Sequence, residues 1–324
     1  MQKSVFFAVK AVLSAGLITY LTWSLDFAAI TDAIANISPL SVLICTLILF
    51  AQIFVLAFRW HLIARAADAA LGFLNGLRIL FAAMFFMQIL PSSVGGDAVR
   101  VFMAHRRGIA LAPATSVVLM DRAVGLTSII ILMGLFGHLI THQMSVDQKW
   151  LVQTLPFLAL AAIVIGFVLL PRIISFLSRW RWANKFVQLL AQMNNLVRLP
   201  RIALQAFTIS FSSHAMTAAA VWVLASDLVP EISYFTILAF LPPVVLLMIL
   251  PITIAGWGLR ESIMVVFFQL SGYGAADGLI VSVLWGLATI LSTLPGALFW
   301  LLTRDSNDRL PPSDAAPPPR TEPS

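Results

Sequence analysis

Charge is what this sequence has least of. Only 10% of its 324 residues are Asp, Glu, Lys or Arg, where a soluble domain carries about 25%. Against that scarcity, 60% are hydrophobic and the mean hydropathy is +0.96. So few charges cannot cover so apolar a globule, which excludes a cytosolic globule and a disordered chain. The pI near 10.1 therefore does not point to nucleic acid, and no nucleic-acid partner is expected. Cysteine is almost missing too. The single Cys45 lies in an apolar run, which excludes a disulfide framework and a cysteine-based metal site. His138 and His142 are four apart but lack the adjoining acid of a zinc-protease helix, and His61, His105 and His214 stand alone. Without a P-loop, a metal cluster or a nucleophile–base pair, neither a cofactor nor an enzymatic activity is expected. The bilayer is the solvent of this chain.

What is there is apolar length. Runs long enough to span, about 20 residues each, lie at 5–25, 39–60, 112–131, 151–170, 202–229 and 279–302. Two more, 76–103 and 234–270, are interrupted by Pro and Gly at their centres. Basic residues favour the cytoplasmic side. Lys3 and Lys10 place the N-terminus inside, and Arg59, Arg65 and Arg78 mark the next inside loop. Asp26 and Asp32 mark an outside loop, as do Asp227 and Glu231. Arg100 to Arg107 is again inside, so 76–103 enters and leaves on one side as a re-entrant hairpin. The second hairpin, 234–270, is entered from the outside, and Arg304 ends the last span inside. The fold expected is all-α and polytopic, with about six full spans and two broken hairpins. A transmembrane domain fills 1–304, and a cytoplasmic tail at 305–324, rich in Pro and Ser, is disordered. The stretch from Arg172 to Arg201 alternates basic and apolar residues, as an amphipathic helix on the inner leaflet would. Trp23, Trp60, Trp150, Trp180, Trp182 and Trp300 fall near span ends, which fits an interfacial belt.

The two interrupted segments match each other. Ile89 to Arg100 aligns without gaps on Ile249 to Arg260, 160 residues later, with Ile, Leu, Pro, Gly and Arg identical. Paired broken segments in two halves point to a transporter site. The orientation puts one on each side of the membrane, so the repeat is inverted. Pro91 and Pro251 end a helix, and Gly95, Gly96, Gly256 and Gly258 permit a tight turn. Ser93 or Asp97 can cap the first restarted helix and Thr253 the second. Free N–H groups at such helix starts suit an anionic group such as a phosphate.

Four charges fall at membrane depth, where each is costly. Asp121 and Arg122 lie mid-span and point about 100° apart, so each needs a partner elsewhere. Asp97 and Glu261 are candidates for Arg122, and Arg100 and Arg260 for Asp121. A buried pair that only locks helix register is the structural alternative, and Arg100 is alternatively an interfacial cytoplasmic charge.

These residues resemble a known family. Leu90 to Arg100, then Asp121-Arg122-Ala123-Val124-Gly125-Leu126, then Leu250-Pro251 to Glu261 are similar to the flippase-like family, the transmembrane region of lysylphosphatidylglycerol synthases, which includes stand-alone bacterial inner-membrane proteins. The resemblance spans about residues 5–303. It implies a lipid-translocating domain with two re-entrant elements around a central cavity. The two-part synthases carry a transfer-RNA-dependent transferase domain after that region. Here the chain ends about 20 residues past the last span, so lipid aminoacylation by this chain alone is not expected. The leading expectation is a flippase or transporter for an anionic phospholipid or lipid-linked headgroup. The substrate-binding set is Ser93, Gly95, Gly96, Asp97, Arg100, Asp121, Arg122, Thr253, Gly256, Gly258, Arg260 and Glu261. The alternatives are a membrane enzyme on lipid-linked substrates, with Asp97, Asp121 or Glu261 as base, and an accessory subunit that recruits a separate synthase.

Overall fold

A computed structural model of the chain describes residues 35–67, 71–90, 93–140, 146–180, 199–249 and 255–305 continuously, with single positions such as 31, 69 and 253 between them. The expected span at 5–25, Pro91 and Pro251, most of 181–198 including Trp182, and the tail at 306–324 lie outside the described residues, as do Trp23 and His142. Every regular element among the described residues is helical. In chain order they are α1 (Pro39–Ala66), α2 (Phe73–Ile89), α3 (Ser93–Arg106), α4 (Leu111–Phe136), α5 (Val146–Leu177), α6 (Pro200–Leu228), α7 (Tyr234–Met248), α8 (Leu259–Leu270), α9 (Ala275–Thr293) and α10 (Pro295–Asp305). A 3₁₀ turn, Gly137–Ile140, extends α4.

Five stretches are long and apolar enough to cross a membrane: Pro39–Ala66, Leu111–Ile140, Gln153–Leu177, Pro200–Leu228 and Ala275–Leu302. The chain is a multi-pass membrane protein. The last span is jointed, because Pro295 cannot continue α9 and starts α10 instead. Arg172, expected to open a surface helix, belongs to the spanning α5. Hydroxyls inside the spans satisfy themselves: Thr46, Ser116, Thr127, Ser128 and Thr289 each donate to the carbonyl four residues back. That local bond removes the cost of a bare hydroxyl in hydrocarbon.

The interrupted segments are short helices. At about 1.5 Å per residue, the 17 residues of α2 and the 15 of α7 fall short of a hydrocarbon layer about 30 Å thick. α2 and α3 pack on each other as a hairpin, and α2 also lies against α10. Gly96 makes that hairpin tight, since a Cβ there would run into Met87 and the Ala83 carbonyl. Gly95 and Gly96 therefore act inside α3 as packing surfaces, and the turn expected at them does not form. In the second segment the turn does form. Ala255, Gly256 and Gly258 have φ of 50°, 82° and 84°, in the left-handed region that glycine enters without strain and that Ala255 enters at some cost.

The two halves thus diverge where the sequence aligns them. α3 starts at Ser93, whereas its counterpart α8 starts only at Leu259 with Gly258 as its N-cap residue. Thr253 is not the cap. Asp97 is not one either; it lies in the second turn of α3.

The core has two main parts. One gathers α6, α7, α8 and α9 around Leu224, Phe240, Met264 and Phe268. The other joins α1, α2, α3 and α4 around Ile63, Ile79, Met103 and Met120. α1 bridges them and packs along α6, where Gln52 donates to the Ser213 carbonyl and to Thr217 Oγ1 at 2.6 Å each. At one end Ser38 caps α1 and its N–H donates to Asp227 of α6 at 2.9 Å, tying the start of one span to the end of another.

Candidate functional site

α4 carries Asp121 and Arg122 to the middle of the bundle, and their different directions give them different partners. Asp121, 4% exposed, accepts from Arg59 Nε on α1 at 2.8 Å and from Arg100 Nη2 on α3 at 2.9 Å. Arg59 also donates to Ser210 Oγ on α6 at 2.9 Å. Arg122 Nε donates to Asp97 Oδ2 at 2.8 Å, and the other Asp97 oxygen lies 3.6 Å from Arg100 Nη1. The result is a chain of alternating charges, Arg59, Asp121, Arg100, Asp97 and Arg122, held by three helices. Two expected partnerships form, Arg122 with Asp97 and Asp121 with Arg100. Arg260 does not reach Asp121, and Glu261 does not reach Arg122.

Arg100 is no interfacial charge: it is 5% exposed and stacks over Trp60, 4.9 Å from the ring centroid. Trp60 is 3% exposed, so it forms part of this buried network and not of an interfacial belt. Trp150, at 61% exposed, does present its ring outward.

Arg260 and Glu261 pair with each other. Arg260 donates from Nε at 3.0 Å and from Nη2 at 2.6 Å to Glu261 Oε1, and Ser282 Oγ bridges them at 3.2 Å to each. Glu261 Oε2 accepts from the Gly258 N–H at 2.6 Å, closing the first turn of α8. The guanidinium lies between Trp257 and Trp285, 4.7 and 5.4 Å from their centroids. It rests on α9 at Gly286, where a Cβ would overlap the guanidinium. Gly286→Ala is therefore expected to displace Arg260 at a cost of about 1–3 kcal/mol, the range for overpacking a filled site. Thermal unfolding in detergent reads the loss; an unchanged midpoint would mean that Arg260 moves aside freely.

Both clusters open on one cavity of about 330 Å³ between the two broken segments. Of the expected binding residues, Asp97, Arg100, Asp121, Arg122, Thr253, Gly256 and Arg260 line it. Glu261 stands behind Arg260, Gly258 caps α8, and Gly95 and Gly96 pack within the α2–α3 hairpin, so these four do not line it. Ser93 opens α3. Arg59, Gln52, Gln88 and His214 line the cavity without having been expected there. Arg59 had the look of a loop charge, yet it is 7% exposed and points inward. Its spacing of seven from Gln52 puts both on one face of α1, a signal present in the sequence. Several buried polar atoms here make no hydrogen bond among the described residues: Arg100 Nε, Thr253 Oγ1, His214 Nε2 and Asp97 Oδ1. Buried polar atoms are seldom left so, and a polar ligand would satisfy them.

The family model described as the lysylphosphatidylglycerol synthase TM region matches residues 7–296. The chain is also similar to a UPF0104 membrane protein of Archaeoglobus fulgidus, 36% identical over 66 residues. That match covers 20% of this chain and 20% of the relative, so the chain spans only a fifth of the relative's length.

Proposed function

The chain belongs to the lysylphosphatidylglycerol synthase transmembrane-region family, whose members are membrane proteins of lipid metabolism or transport, and from that premise we propose that it is a lipid flippase. The headgroup of an anionic phospholipid or lipid-linked substrate crosses through the cavity while its tails stay in the bilayer. The observation that carries the reading is a single cavity in which both broken segments and the mid-span Asp121-Arg122 pair present charged groups. A phosphate in hydrocarbon loses its hydration, at a cost only pairing offsets. Arg122, whose side chain is 30% exposed, is the most open guanidinium and meets the phosphate first. Arg260, clamped by Glu261 and two indoles, is the fixed counter-charge deeper in. Thr253 and Arg100 Nε offer further donors. The lipid is moved unaltered, without cofactor or ATP chemistry in this chain. An inverted relation of the two broken segments, as the basic loops lead one to expect, lets the cavity open to either side in turn. The protein sits in the bacterial inner membrane with both termini cytoplasmic, following its basic loops.

Proteoliposomes containing a phosphatidylglycerol with a quenchable headgroup label test this. Wild type is expected to expose inner-leaflet label faster than empty vesicles. Arg122→Ala is expected to slow it at least about tenfold, since a charge-assisted hydrogen bond contributes about 1.5–3 kcal/mol. Wild-type vesicles indistinguishable from empty ones would overturn the reading.

A further inference from the structure

We infer that the headgroup this cavity takes carries one net negative charge: a lipid-linked phosphodiester, in preference to a zwitterion or a phosphomonoester dianion. The inference rests on the transport reading above and adds a charge rule to it. Among the described residues, the cavity and its immediate backing hold four guanidiniums, Arg59, Arg100, Arg122 and Arg260, against three carboxylates, Asp97, Asp121 and Glu261. His214 is counted as neutral. The surplus can be located. Arg260 and Glu261 form a balanced pair, with both Glu261 oxygens engaged, one by Arg260 and Ser282, the other by the Gly258 N–H. The surplus therefore sits in the other cluster, where Asp121 serves two arginines at once and Asp97 serves Arg122.

Sharing one carboxylate between two guanidiniums leaves a positive charge in a site walled by Leu, Met and Ile side chains. Such a charge is costly in low dielectric unless a counter-ion joins it. A singly charged phosphodiester brings the cavity to neutrality. A zwitterion leaves the surplus in place, and a dianion replaces it with a surplus of the opposite sign. Discrimination thus comes from charge left unpaired by the wrong headgroup.

The test uses purified protein in vesicles with three labelled lipids of identical chains: phosphatidylglycerol, phosphatidylcholine, and phosphatidic acid above its second ionisation. Wild type is expected to move phosphatidylglycerol about tenfold or more faster than either other lipid, a factor of ten corresponding to about 1.4 kcal/mol of discrimination. Arg59→Gln removes the surplus and is expected to shift the preference to phosphatidylcholine. Asp97→Asn adds a second surplus charge and is expected to shift it to phosphatidic acid; Asp97 is the least buried of the three carboxylates, so this variant also guards against misfolding of the first. One unchanged order of the three lipids in wild type and in a monodisperse variant would overturn the charge rule and leave transport standing. If no lipid moves at all, the transport reading fails instead, and native mass spectrometry of the lipid retained by the purified protein then decides the rule. Retained phosphatidylglycerol supports it; equal retention of all three overturns it. Deacylated glycerophosphoglycerol as competitor separates the sources, since displacement as effective as by the intact lipid would mean a soluble ligand.

Discussion

Asp121→Asn is expected to destabilise the protein by about 3–5 kcal/mol, the loss seen when one partner of a buried ion pair is removed. The side chain is almost fully buried and is the only carboxylate within reach of Arg59 among the described residues. Asparagine can accept one of the two guanidinium bonds with its carbonyl oxygen. Its amide nitrogen then faces the other arginine, donor against donor. Arg59 is left with no carboxylate among the described residues and Arg100 with only the longer 3.6 Å contact to Asp97, so the two cations repel each other across α4. The unfolding midpoint in detergent and the yield of monodisperse protein measure this. A variant as stable as wild type would mean that water or lipid already neutralises the arginines and that Asp121 does not organise the network.

Arg260→Ala is expected to be equally severe, through the opposite sign. It leaves Glu261, 1% exposed, as an unpaired carboxylate, again a loss of about 3–5 kcal/mol. The double variant Arg260→Ala/Glu261→Gln separates stability from transport. Glutamine keeps an acceptor for the Gly258 N–H, so the first turn of α8 stays closed, and no buried charge remains to be paired. Stability is expected to return towards wild type while lipid movement stays lost in both variants. If movement returned together with stability, Arg260 would be a structural residue and not a counter-charge for the headgroup.

Much of this arrangement was legible in the sequence because burial forces charges to pair. A mid-span Asp and Arg pointing in different directions had to find partners, and Arg100 and Asp97 were the near candidates. The breaks after Ile89 and Met248 were legible from Pro and Gly. Arg59 was not, because a basic residue at the end of an apolar run reads as a loop charge under the positive-inside rule. Only the packing of α1 against α4 shows it turned inward. The Arg260–Glu261 pair was missed for a related reason. Neighbours on a helix diverge, but Glu261 sits in the first turn of α8, where it folds back to cap Gly258, and the long Arg260 side chain follows it. The gapless repeat misled in one respect. Gly95 and Gly96 are adjacent and serve close packing within a helix, whereas Gly256 and Gly258 flank Trp257 and allow a left-handed turn that delays α8. The same alignment thus yields two different local structures.

Everything proposed for the protein turns on one cavity between the two broken segments holding an anionic headgroup. The most direct measurement is an experimental structure of the purified protein saturated with phosphatidylglycerol, with the phosphorus located from its density. Phosphorus is expected inside the cavity, its oxygens within hydrogen-bond reach of Arg122 or Arg260. Lipid bound only along the outer faces of the spanning helices, with the cavity filled by water, would contradict it.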